Sequence, residues 1–117
     1  MSGAVNSGKD GVYLRHILEC IVTLERYTKA GKAEFLRDTL VCDAVLRRLQ
    51  IMAESTQRLS VTLKEQAPRV DWQALSGFRN VLVHDYLGGI DLDRVWKAIE
   101  IDLPLLKSEV LRLLDES

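Results

Sequence analysis

Within the run Phe78-Arg79-Asn80-Val81-Leu82-Val83-His84-Asp85-Tyr86, an arginine is followed five positions on by a histidine and two further on by a tyrosine. An arginine stays protonated at any relevant pH and presents a planar fork of donors suited to a phosphate. Arg79 can therefore hold a scissile group and neutralise charge that grows in a transition state. A histidine titrates near neutrality, which lets His84 take a proton from a ribose 2′-hydroxyl or return one to a leaving oxygen. Tyr86 can orient the phosphate or stack on a base. These are the parts of a phosphodiester cleavage that uses no metal and no cofactor and leaves a 2′,3′-cyclic phosphate and a 5′-hydroxyl. The same spacing also fits a surface ion pair of Arg79, a helix-end histidine and a tyrosine packed on a turn.

Helix geometry sets a condition on the chemical reading. At roughly 100° per residue, Arg79 and Tyr86 lie within about 20° of each other, while His84 is about 140° from Arg79. One regular helix cannot aim all three at a single phosphate. Either the helix loosens after Val83, near Gly88-Gly89, or a second subunit supplies the missing group, as in a symmetric homodimer with this stretch at the interface.

The elements that must carry these residues read as helices throughout. Leu14, Ile17, Leu18, Ile21 and Leu24 follow the three- and four-residue spacing of one apolar helix face, with Asp10 as N-cap and an end near Gly31. A short connector with Phe35 leads to a second, longer helix from Leu36–Asp38 to about Gln66, ended by Pro68. Asp71 caps a third helix from Trp72 to about Asp85. Asp91 caps a fourth, through Leu92, Val95, Trp96 and Ile99, with a kink or restart at Pro104. The class is all-α, a bundle of four to five helices. Residues 1–10 read as a loose tail, and residues 11–117 as a single helical domain.

His16 reads as a partly exposed helix residue without a partner, and Glu54 with Arg58 as a solvated i,i+4 pair. Trp72 and Trp96 read as anchors whose N–H groups need acceptors. Cys20 and Cys42 lie in apolar-periodic segments without metal-ligand spacing, so they read as reduced and unpaired.

The formal net charge is −1, but its distribution is uneven. Residues 1–50 carry eight Lys/Arg against six Asp/Glu, residues 51–90 four against four, and residues 91–117 four against seven. No basic stripe marks a high-affinity reader of nucleic acid, although an enzyme meeting RNA briefly at a small site is compatible with this balance. No run approaches the ~20 apolar residues of a membrane span, and the polar start resembles no secretory signal, so the expected location is the cytoplasm.

The run Trp72 to Ile90, WQALSGFRNVLVHDYLGGI, resembles the HepT-like toxins of the HEPN superfamily, whose hallmark is Arg, four residues, His, any residue, Tyr. The similarity extends to Asp91-Leu92-Asp93-Arg94-Val95-Trp96 and Leu103-Pro104, and back through Ala44-Val45-Leu46-Arg47 and Glu54. The resemblance implies a dimeric all-α toxin and metal-independent endoribonuclease, with the motifs of both subunits facing a shared cleft. It also implies a minimal nucleotidyltransferase as antitoxin, acting by complex formation and by AMP addition to Tyr86. By the same carry-over, Arg79 and His84 are the catalytic pair, with Asn80 and Tyr86 in support. Glu54 is an accessory candidate, because Ala53-Glu54-Ser55 keeps the acid but not the glycine of the Gly-Glu-Ala common in relatives. Two other readings stand beside this one: a non-catalytic helical partner or substrate-positioning subunit of a nucleotidyltransferase, and a plain dimeric helical scaffold.

Overall fold

A computed structural model of the chain describes residues 9–84 and 89–116, and every regular element among these residues is helical. The elements are α1 (Asp10–Tyr27), α2 (Lys32–Arg37), α3 (Thr39–Gln57), α4 (Val61–Glu65), α5 (Trp72–His84) and α6 (Leu92–Lys97). A π-helical turn, Ala98–Asp102, then runs directly into α7 (Leu103–Glu116). None of the described helices is long and apolar enough to cross a membrane.

α3 packs against both α1 and α5, and α7 packs back on α1. The stripe expected on α1 forms its inner face: Leu14, Ile17, Ile21 and Leu24 are fully buried, and Leu18 is half-buried. They meet Val45, Leu49, Met52 and Ala53 of α3 and Leu106, Val110 and Leu113 of α7 in one apolar core. α1 stops at Tyr27, short of the expected Gly31. Thr28 donates both its N–H and its hydroxyl to the Leu24 carbonyl, and Gly31 makes the turn into α2 at φ 96°. That region is open to glycine without strain.

The long second helix expected from Leu36–Asp38 to Gln66 starts within the expected range, at its N-cap Asp38, but is divided into α3 and α4, and the connector before it is itself the helix α2. Phe35, expected in a connector, is the buried residue of α2 and packs on Trp96 with ring centroids 5.5 Å apart. Asp38 leaves the helical conformation at φ −97°, ψ 110°, and its carboxylate accepts from the Leu40 N–H to start α3. The break after Gln57 comes from Ser60, extended at ψ 155°, whose hydroxyl accepts from the Leu63 N–H and caps α4.

Asp10 is what holds that break in place. It was expected to cap α1, but it lies inside the helix's first turn, 1% exposed. Its carboxylate accepts from the Ser60 N–H at 2.9 Å and the Ser60 hydroxyl at 2.6 Å. A backbone donor that a continuous helix would have used internally is thus satisfied from a different helix.

Asp71 and Asp91 act as expected. The Asp71 carboxylate accepts from the Ala74 N–H, and that of Asp91 accepts from the N–H groups of Asp93 and Arg94. The Trp72 indole N–H donates to the carbonyls of Lys64 and Ala67, tying α5 to the end of α4. Pro104 does not break the last helix. It has no N–H for the Glu100 carbonyl, and the wider π turn immediately before it absorbs the lost bond while the chain stays helical.

Asp10→Ala removes the acceptor of two Ser60 donors in a partly buried setting. It is expected to lower the unfolding free energy by about 1–3 kcal/mol, measured as a lower urea midpoint at unchanged m-value. A midpoint shift within error would show that Ser60 finds water as readily as Asp10.

Candidate functional site

α5 lies antiparallel along α3, and two polar contacts fix the register of the pair. Glu54 accepts from Arg79 Nη2 at 2.8 Å, and Gln57 Nε2 donates to the Ser76 hydroxyl at 3.0 Å. Moving three residues forward on α3 thus corresponds to moving three residues back on α5. The two helices meet along this seam through polar side chains beside the apolar core, so Arg79 is held at its edge. Its side chain is 26% exposed and that of Glu54 is 42% exposed.

The Glu54 carboxylate is therefore the partner of Arg79 and not of Arg58, as the i,i+4 spacing within α3 had suggested. Arg79 Nη1 also donates to Asn80 Oδ1, on the next residue of α5, at 3.2 Å. Arg79 Nε is buried and has no hydrogen-bond partner among the described residues. The guanidinium is thus positioned and charge-compensated through one N–H of each terminal nitrogen, and each of these nitrogens keeps a second N–H.

α5 remains α-helical through His84, so the helix does not loosen before the histidine. Arg79 faces α3, whereas His84 is exposed at the end of the described part of α5. The structure brings Arg79, Asn80 and Glu54 together and leaves His84 apart from them. Tyr86 and Gly88 lie outside the described residues, as does the expected end of the helix at Asp85.

His16 differs from its expected lack of a partner. Its Nδ1 is 2.6 Å from the Ser55 hydroxyl, and its Nε2 is 3.8 Å from Cys20 Sγ. Ser55 follows Glu54 directly, so α3 bonds α1 through one residue and α5 through its neighbour. Burial pushes the Cys20 thiol above its ordinary range, which keeps it protonated near neutrality. Cys20 and Cys42 are both free, as expected.

Neither the Gln57–Ser76 nor the His16–Ser55 contact is legible in the linear sequence. Each depends on knowing which helices pair and in what register. Glu54 with Gln57, and Ser76 with Arg79, do share a three-residue spacing, which becomes meaningful once the helices are known to be antiparallel.

A separate cavity of about 410 Å³ opens on the other side of α5, over Leu75, Phe78, Leu49, Met52, Leu103 and Leu106. Arg79, Glu54 and His84 take no part in lining it. The candidate site is the exposed α3–α5 seam.

The model of the family described as Ribonuclease HepT-like matches residues 17–113. The chain belongs to this family. A Methanocaldococcus jannaschii protein named "Gamma-glutamylcyclotransferase and putative RNase" is 34% identical over 106 residues, which is 90% of this chain and 47% of that protein. The HepT-like chain thus spans about half the length of that relative. A Thermococcus cleftensis protein named "Probable ribonuclease HepT" is 32% identical over 86% of this chain and 92% of its own length. A Caldanaerobacter subterraneus protein named "Putative RNase" is 30% identical over 89% of this chain and 93% of its own length. No solved structure matches the HepT-like chain.

Because both partners keep contact with solvent, the Glu54–Arg79 pair is expected to position the guanidinium and to add little to stability. A double-mutant cycle of Glu54→Ala and Arg79→Ala in urea unfolding should give a coupling of no more than about 1 kcal/mol. Coupling of several kcal/mol would instead mark the pair as part of the structural core.

Proposed function

We propose that this HepT-like chain is a metal-independent endoribonuclease, the toxin of a toxin–antitoxin pair, in which Arg79 binds the scissile phosphate and His84 transfers the proton. The observation that carries this reading is the state of Arg79. It is fixed by Glu54 and Asn80 at the edge of a helix seam, partly open to solvent, with a second N–H left on each terminal nitrogen, in a family described as ribonucleases. Relatives named as RNases across most of the chain's length support the same substrate class.

In the reaction, the ribose 2′-oxygen attacks phosphorus as the 2′-hydroxyl proton passes to a base. The bond from phosphorus to the 5′-oxygen then breaks, and that oxygen receives a proton. Arg79 offsets the charge that builds on the phosphoryl oxygens, which is where a prepositioned cation contributes most. His84 supplies or accepts the proton. Since Arg79 faces α3 and His84 points away from it on one straight helix, the pair converges through a second copy of the chain. In that homodimer, the shared cleft pairs Arg79 of one subunit with His84 of its partner.

The antitoxin in this reading is a minimal nucleotidyltransferase. It masks the cleft and transfers AMP to Tyr86. The added phosphodiester brings bulk and a negative charge onto the motif that carries Arg79 and His84, and a phosphodiester there competes with the substrate phosphate for the same cation.

His84→Ala is expected to abolish RNA cleavage and growth inhibition while leaving far-ultraviolet circular dichroism unchanged, because His84 is exposed and takes no part in the core. The wild-type product should carry a 2′,3′-cyclic phosphate and form equally well in excess chelator. Equal cleavage by wild type and His84→Ala would exclude this mechanism and favour the non-catalytic partner of a nucleotidyltransferase. For the antitoxin, mass analysis of the Tyr86 peptide after co-expression should show addition of AMP, and Tyr86→Phe should abolish it. A Tyr86→Phe chain that is still fully silenced would place the inhibition in complex formation alone.

A further inference from the structure

Asp43, Arg47, Gln50, Glu54 and Gln57 recur on α3 at alternating four- and three-residue steps, which places them on one face of the helix. The C-terminal end of this polar stripe is already in use: Gln57 bonds Ser76 and Glu54 bonds Arg79. Those two contacts also give the direction of α5. Toward the N-terminus of α3, the stripe runs alongside the C-terminal half of α5, where His84 lies.

Arg47 is two helical turns before Glu54, about 10 Å along the axis, and His84 is about 7–8 Å beyond Arg79 in the same direction. Arg47 therefore stands level with the end of α5. It is exposed and has no ion pair among the described residues. Its neighbour Arg48 turns the other way, toward Tyr27 and Cys20 of α1, which hold its guanidinium above its ordinary pKa. Gln50, half-buried, fills the stripe between Arg47 and Glu54. Asp43, one turn further out, carries the opposite charge and bounds the track.

Resting on the reading of this seam as an RNA-cleaving site, we infer that Arg47 is a substrate-binding residue that takes a backbone phosphate of single-stranded RNA one or two nucleotides from the one held by Arg79. An axial separation of about 10 Å exceeds the spacing of adjacent phosphates on one strand, but two long, flexible arginine side chains at that separation can reach phosphates one or two nucleotides apart. In a chain of net charge −1 without a basic stripe, one such cation beyond Arg79 makes a large part of the electrostatic footprint. The contact is to the backbone and carries no base preference, so it lengthens the site without making it sequence-specific.

The test uses the full-length protein with a fluorescently labelled, unstructured RNA oligonucleotide. Binding is measured in the cleavage-deficient His84→Ala chain, with and without Arg47→Ala, across a salt series. Loss of one phosphate contact should reduce the slope of log affinity against log salt by about 0.7, equally for oligonucleotides of different sequence. Arg47→Lys, which keeps the charge, should retain the slope. In chains with His84 intact, Arg47→Ala should raise KM about tenfold with kcat little changed.

An unchanged slope and KM in Arg47→Ala, with the parent chain cleaving RNA, would overturn the inference and leave the proposed function standing. A fall in kcat at constant KM would overturn it too, because Arg47 would then act in the chemical step. If the parent chain neither binds nor cleaves RNA, the proposed function falls and takes this inference with it.

Discussion

The burial of α3 on two sides constrains the rest of the molecule. One face of this helix packs on α1 and another on α5, so it must be apolar toward the core and polar along the seam that remains open to water. Val45, Leu49, Met52 and Ala53 fill the first role, and Glu54 and Gln57 the second. Because the polar contacts border the core and do not replace it, they can be directional without bearing the cost of full desolvation. A fully buried Arg–Glu pair would lose in hydration much of what it gained in attraction. At the seam's edge, the attraction is modest and the geometry is well defined, which suits a group that must bind something else.

The same arrangement separates two kinds of cohesion. Apolar burial fixes which helices touch. The long-range hydrogen bonds fix how far each has slid along its neighbour: Asp10 to Ser60 and His16 to Ser55 between α1 and the α3–α4 region, Glu54 to Arg79 and Gln57 to Ser76 between α3 and α5. Hydrophobic contact is tolerant of small slides, whereas a hydrogen bond is lost within an ångström or so of its ideal length. The position of Arg79 along the seam is thus set by a few polar atoms.

The sequence makes the helical class, the apolar stripe of α1, the Asp71 and Asp91 caps and the placement of Trp72 legible, because each follows from periodicity or from a cap residue next to its helix. It does not show the division of the second helix. No glycine or proline interrupts residues 57–61, and the break depends on Ser60 being bonded by Asp10, fifty positions away. It likewise hides the partner of Glu54, since a local i,i+4 arginine at position 58 competes on paper with a distant one at position 79. The arginine of the candidate site and the histidine five positions on were recognisable as residue types, and the angle between them on one helix was calculable. What the linear chain lacks is the face of α5 that turns toward α3, which only tertiary packing decides.

The π-helical turn between α6 and α7 can be described in terms of rotational phase. An i→i+5 turn unwinds a helix by about one residue's worth of rotation, roughly 100°. Residues before and after it therefore need not point the same way. Before the turn, Trp96 packs on Phe35 and Asp93 pairs with Lys32, both toward α2; after it, Lys107 pairs with Glu25 of α1. One uninterrupted rod thus serves two partners in different directions, working as a crankshaft where a straight helix would have to choose between them.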